Sequence, residues 1–124
     1  MNVVDSSAWL EYFAGGPNAN YFAAAIEEQA NLVVPTITVL EVFKRISQQR
    51  DDATALKYAA VLQQGRLVDL DAALALRAAA LGRQYKLPLA DSIIYATARS
   101  MNAIVWTQDA DFEGLDGVQY RPKG

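Results

Sequence analysis

Short runs without charge punctuate this chain, and stretches with helical spacing lie between them. The runs are Asn2-Val3-Val4, Leu32-Val33-Val34, Leu67-Val68 with Leu70, and Ala103-Ile104-Val105-Trp106-Thr107. Strands that are apolar on successive residues are buried on both faces, which is the state of a parallel sheet covered by helices. That pattern restricts the chain to an α/β architecture: a central, mostly parallel five-stranded sheet between helices.

The helices follow from spacing and punctuation. Strand 2–5 leads into a first helix whose opening amides Ser6 and Ser7 are expected to cap. Gly15-Gly16-Pro17 breaks it, and Asn20 to Gln29 carries Phe22 and Ile26 on one stripe. Ile37, Leu40, Phe43 and Ile46 mark a helix to about Gln49, and Asp51-Asp52 opens another that stops at Gly65. Asp71 is placed to cap an Ala-rich helix, Leu87-Pro88 separates it from a helix running from Leu89 to about Met101, and Val118-Gln119-Tyr120 reads as an edge strand. With 124 residues and neither a linker nor a repeat, residues 1–124 are expected to form one domain.

Composition narrows the chemistry. The chain has no Cys and no His, which removes disulfides, thiolate redox chemistry and zinc sites built on sulfur or imidazole. No apolar run approaches the ~20 residues that cross a bilayer, and no basic-then-apolar leader opens the chain, so a cytoplasmic protein is expected.

Against this background five carboxylates stand out. Asp5 ends the first apolar run, Glu41 interrupts an uncharged stretch from Gln29 to Phe43, Asp91 opens Asp91-Ser92-Ile93-Ile94-Tyr95-Ala96, and Asp109 follows the fourth run with Asp111 two residues on. A carboxylate set in apolar surroundings is costly without a partner. Oxygen-only ligands suit Mg²⁺ or Mn²⁺. Asp5 and Asp109 both lie at strand carboxyl ends, where sites form in open α/β sheets. Each acid also has a plain structural reading: Asp5 as a helix cap, Glu41 paired with Arg45, Asp91 at a helix dipole, Asp109 and Asp111 as turn formers. Thr107 adds a hydroxyl at the end of the fourth run, able to orient a carboxylate or water.

The net charge of −3 does not exclude a phosphate substrate. Taking those five from the 14 acids leaves nine against 11 Lys and Arg. Lys44, Arg45, Lys86 and Arg99 lie near the acids in sequence and are candidate phosphate contacts, with solvated helix-face charge at least as good an alternative. The aromatic stripe Trp9, Tyr12 and Phe13, followed by Tyr21, Phe22 and Ile26, reads as a groove for a partner helix ahead of a base-stacking surface.

Four segments carry a family resemblance. Val3-Val4-Asp5-Ser6-Ser7-Ala8-Trp9-Leu10-Glu11-Tyr12-Phe13, Thr38-Val39-Leu40-Glu41-Val42, Leu87-Pro88-Leu89-Ala90-Asp91-Ser92-Ile93-Ile94-Tyr95-Ala96-Thr97-Ala98 and Thr107-Gln108-Asp109-Ala110-Asp111-Phe112 resemble, in order, the motifs of PIN domains, and of the compact VapC toxins in particular. The resemblance implies an endoribonuclease in which Asp5, Glu41, Asp91 and Asp109 take the acidic roles around Mg²⁺ or Mn²⁺, with Asp111 as an extra contributor, Thr107 or Ser6 as a polar supporter, and RNA as the phosphate that Lys44, Arg45, Lys86 and Arg99 would meet. It also implies an antitoxin partner and a homodimer or larger assembly. The alternatives are a catalytically silent interaction domain of the same fold and, less well matched, a receiver-like phosphoacceptor, which would want a second acid beside Asp5 and a lysine after the fourth strand.

Overall fold

The computed structural model describes residues 1–124. In chain order the elements are β1 (Asn2–Val4), α1 (Ser6–Ala14), α2 (Ala19–Ile26), β2 (Leu32–Pro35), α3 (Thr36–Gln49), α4 (Asp52–Leu62), β3 (Arg66–Val68), α5 (Ala72–Tyr85), α6 (Leu89–Ser100), β4 (Ile104–Thr107) and β5 (Val118–Tyr120). One-turn 3-10 helices at Gln29–Asn31 and Ala110–Phe112 lead into β2 and follow β4.

All five strands are parallel, in the order β3-β2-β1-β4-β5. The expected α/β sheet between helices is therefore present. Strand order reverses beside β1: the chain winds outward to β3, then returns to lay β4 on the free side of β1. In flavodoxin-like receivers β1 lies instead between β2 and β3, so the receiver-like alternative does not describe this sheet.

Strand periodicity of two divides the core. Val4 and Val34 face one layer with Ala8, Trp9, Phe22, Ile26, Val42 and Leu62. Val3, Val33 and Val105 face the other with Ile94, Tyr95, Ala98 and Phe112. Leu74, Ala78, Ile93 and Ala96 join α5 to α6 outside that second layer. No helix is long and apolar enough to cross a membrane.

Four expectations need correction. The cap of α1 is Asp5 itself, whose carboxylate accepts from the Ala8 amide; Ser6 and Ser7 point their hydroxyls elsewhere. α2 stops at Ile26, because Gln29 already belongs to the separate turn into β2. Leu70 lies beyond β3 and is exposed, as suits the end of an edge strand. The helix bearing Glu41 is one-sided: Thr38, Val42 and Ile46 are buried, whereas Leu40 is 56% exposed. Asp71 does cap α5, accepting from the Leu74 amide at 2.8 Å.

Candidate active site

The register of the two central strands creates the site. Val4 pairs with Trp106, and the Asp5 amide donates to the Trp106 carbonyl at 3.0 Å. Asp5 and Thr107 therefore leave the sheet side by side at its carboxyl edge, and Asp109 follows two residues later. Asp91 arrives from a third direction, in the first turn of α6. Carboxylate oxygens of Asp5, Asp91 and Asp109 all lie within 4.8 Å of one another.

Each acid is held by its own local device. Asp5 is 2% exposed, and its Oδ1 accepts from the Ser7 hydroxyl at 2.8 Å and the Ala8 amide at 3.1 Å. Asp109 caps the 3-10 turn by accepting from the Asp111 amide at 2.9 Å, while its own amide donates to the buried Thr107 hydroxyl at 2.9 Å. Glu41 accepts from the Ser6 hydroxyl at 2.6 Å. The three-carboxylate cluster does not include Glu41, yet its charge reaches Asp91. Asp111 is exposed and adds charge at the rim.

The electrostatics are those of anions crowded without a counter-ion. Burial pushes Asp5 up to about 6, the Ser7, Ala8 and Thr107 hydrogen bonds opposing the rise and the Asp109 charge adding to it. Asp91 is pushed up to about 8, first by burial and then by the charges of Asp109, Asp5, Asp111 and Glu41. A helix N-terminus favours a carboxylate by only about 0.3–1 kcal/mol, too little to reverse this. Oxygen donors, one buried and two half-buried, mutually repelling and drawn from three segments, fit a hard divalent cation.

The other expected residues divide. Lys44 and Arg45 line a cleft with Ser6 and Glu41. Lys86 ends α5 in the left-handed conformation with its side chain exposed. Arg99 is misplaced by the sequence reading: it stands eight residues beyond Asp91, about 12 Å along the axis of α6. Its guanidinium lies over the Tyr95 ring at 6.0 Å and beside Gly117, toward the opposite edge of the sheet.

The aromatic stripe needs a larger correction. Trp9, Phe22 and Ile26 are core residues, at 1%, 0% and 4% exposure, packed with Val4 and Val34. The sheet face itself takes up their apolar surface, and only Tyr12, Phe13 and Tyr21 stay half-exposed. Sequence reasoning also missed Ser7, which braces Asp5, and the buried amides Asn18 and Gln108. Gln108, standing between Thr107 and Asp109 at a strand end, offered a signal; Asn18 offered none.

The PIN domain family model matches residues 3–118. The chain belongs to the PIN domain family. Solved PIN-like neighbours cover nearly all of it. A toxin–antitoxin complex from Klebsiella pneumoniae is 25% identical with TM-score 0.80, covering 96% of each chain. Mycobacterium tuberculosis VapC20, described as a sarcin–ricin loop cleaving toxin, is 18% identical with TM-score 0.80, over 98% of this chain and 100% of that one. VapBC2 from Rickettsia felis, bound to a promoter DNA fragment, is 11% identical with TM-score 0.74, over 99% and 98%. A sequence search of curated proteins finds no match.

Proposed function

We propose that this PIN domain is a divalent-metal-dependent endoribonuclease, the toxin of a toxin–antitoxin pair. The observation that carries the reading is the convergence of Asp5, Asp91 and Asp109 within 4.8 Å, with two of the three pushed far above the ordinary carboxylate range. Such a cluster costs stability unless it binds something positive. Asp5, Asp91 and Asp109 would hold Mg²⁺ or Mn²⁺ directly, and Glu41 and Asp111 would support it at the rim. An ion there supplies Lewis-acid polarisation of a phosphodiester and a nucleophile at neutral pH. The chain's own residues do the rest. Ser7, Ala8 and Thr107 fix the Asp5 carboxylate, Ser6 aims Glu41, and the turn at Ala110–Phe112 fixes Asp109.

A single-stranded or looped RNA suits acids of which Asp91 and Asp109 are part-exposed, since its unstacked bases are free to meet side chains. Resemblance to the Klebsiella toxin–antitoxin complex supports a protein antitoxin as partner and a multi-chain assembly.

Purified protein incubated with mixed RNA should cut it with Mg²⁺ or Mn²⁺ and stop when a chelator is in excess. Cleavage undiminished by chelator removes the metal from the reading. Absence of cleavage of every RNA offered, by protein that is folded and metal-loaded, removes the nuclease.

A further inference from the structure

Beside the acidic cluster is a second cleft, of about 330 Å³, between α1, α3, α4 and the segment after β5. Its volume is at the lower end of the range of about 300–1,000 Å³ typical of small-ligand sites. Ser7, the residue bracing Asp5, and Gln108, next to Asp109, form its inner end. Phe13 and Tyr58 form one wall, their rings stacked with centroids 4.1 Å apart and planes 16° from parallel. Arg45, Arg50 and Lys123 bring three cations against one carboxylate, Glu11, on a chain whose net charge is −3. Glu11 is already engaged, accepting from the Asn18 amide at 2.8 Å.

The segment that carries Lys123 is fixed through its two preceding residues. The Arg121 amide donates to the Thr107 carbonyl at 2.9 Å, and the buried Asn18 side chain donates to both the Pro122 carbonyl at 2.9 Å and Gln108 Oε1 at 3.1 Å. The same network that seats Gln108 next to the acids therefore seats the lysine at the cleft.

We propose that this cleft is a nucleotide subsite of single-stranded RNA, taking the nucleotide next to the bond cut at the acidic cluster. The phosphate lies against Arg50 and Lys123, and the base lies along Phe13 and Tyr58 within reach of the Gln49 amide. The inference rests on the nuclease reading for which bond is cut, but not for the binding itself. Charge decides the occupant: a local positive field on an acidic protein selects an anion, and an aromatic wall selects one carrying a flat ring. Contact with the phosphate and a ring face carries little sequence information, so the subsite favours single strands over duplex without a strong base preference.

The test uses full-length Asp5→Asn protein, which should not cut the probe, and a short fluorescent oligoadenylate, read by anisotropy over a salt series. Arg50→Ala and Lys123→Ala should each raise Kd about five-fold or more at low salt and flatten the log–log salt slope by about 0.7. Tyr58→Leu should weaken binding about ten-fold. Because Tyr58 also packs on the core, its melting curve is checked, and the two exposed cations carry the test if it fails to fold. Arg77→Ala, which removes equal charge from α5, should leave Kd as in the parent. If parent RNA cleavage is seen but Arg50→Ala and Lys123→Ala match the parent in Kd and slope, the subsite is overturned and the nuclease stands. If no RNA is cut but these variants lose oligoadenylate binding, the nuclease reading falls and the subsite stands. Loss of affinity for a co-purified protein with RNA affinity intact would make the cleft a protein site and overturn the proposal.

Discussion

Ser6 donates its hydroxyl to Glu41 at 2.6 Å, tying the first turn of α1 to the middle of α3. Without that bond the Glu41 side chain is an ordinary flexible group on a half-exposed helix face. Ser6→Ala should therefore lower divalent-metal affinity about ten-fold, the usual loss when an outer hydrogen-bond partner goes. Glu41→Gln, which keeps the shape and the Ser6 contact but removes the charge, should lose more. Titration calorimetry with Mn²⁺ measures both, and parent-like affinity in Glu41→Gln would make the Ser6 bond a purely structural tie.

Asp5→Asn separates charge from capping. Asn caps helices about as well as Asp, so α1 should persist, whereas Asp5→Ala should cost about 1 kcal/mol more through loss of the cap. Metal binding and RNA cleavage should both collapse in Asp5→Asn. Cleavage at the parent rate would leave Asp5 as a cap only.

The raised carboxylates give the metal-free protein a definite pH response. Asp5 and Asp91 titrate from 3.8 when unshifted to about 6 and about 8 in the fold. Between those limits the folded state binds more protons than the unfolded one, so stability falls as pH rises. The melting temperature of chelated protein should drop from about pH 4 to about pH 8, and Mg²⁺ added at pH 8 should restore it. Asp91→Asn should flatten the profile. A melting temperature that is level or climbs across this window contradicts the crowded-anion account.

Asn18 is a buried amide with two acceptors on two other segments. Asn18→Ala should cost about 1–3 kcal/mol in urea denaturation, because the freed Gln108 and Pro122 oxygens lose their donor. Residues 121–124 should become accessible to carboxypeptidase as their anchor goes. Resistance equal to the parent's would show that Arg121 alone holds the segment.

The aromatics now divide by burial. Phe22→Ala should cost about 3–5 kcal/mol and compromise folding itself. Tyr12, whose hydroxyl meets Glu27 at 3.0 Å on an exposed edge, should tolerate Ala with little loss. If a protein partner uses this edge, Tyr12→Ala weakens it while melting stays near the parent's. The reverse ranking of the two melting curves would place the core elsewhere.

Much of this architecture is legible in the amino-acid sequence. Val3-Val4, Leu32-Val33-Val34 and Ile104-Val105 spell buried strands because both faces of those strands meet helices. Asp5, Asp91 and Asp109 stood out because apolar neighbours make an acid conspicuous. What stayed illegible depended on direction. Helical spacing put Trp9 and Phe22 on stripes, but a stripe does not say whether sheet or solvent lies opposite. Arg99 was near Asp91 in sequence and far from it in space, since eight residues of helix separate them. The Asn18 network joins positions some ninety and one hundred residues apart, and no local pattern announces it.

The sheet order has a consequence in time. Asp5 comes before its neighbours in the cluster, which belong to α6 and to the turn beyond β4, and β4 lies next to β1 on the side opposite β2 and β3. Chains grow and begin folding from the amino end. A nascent chain that has emerged as far as α5 thus carries one acid of the three and an open edge on β1. On the nuclease reading, a chain that has emerged only as far as α5 lacks two of its three acids, and it gains the means to cut RNA only when α6, β4 and β5 complete the sheet.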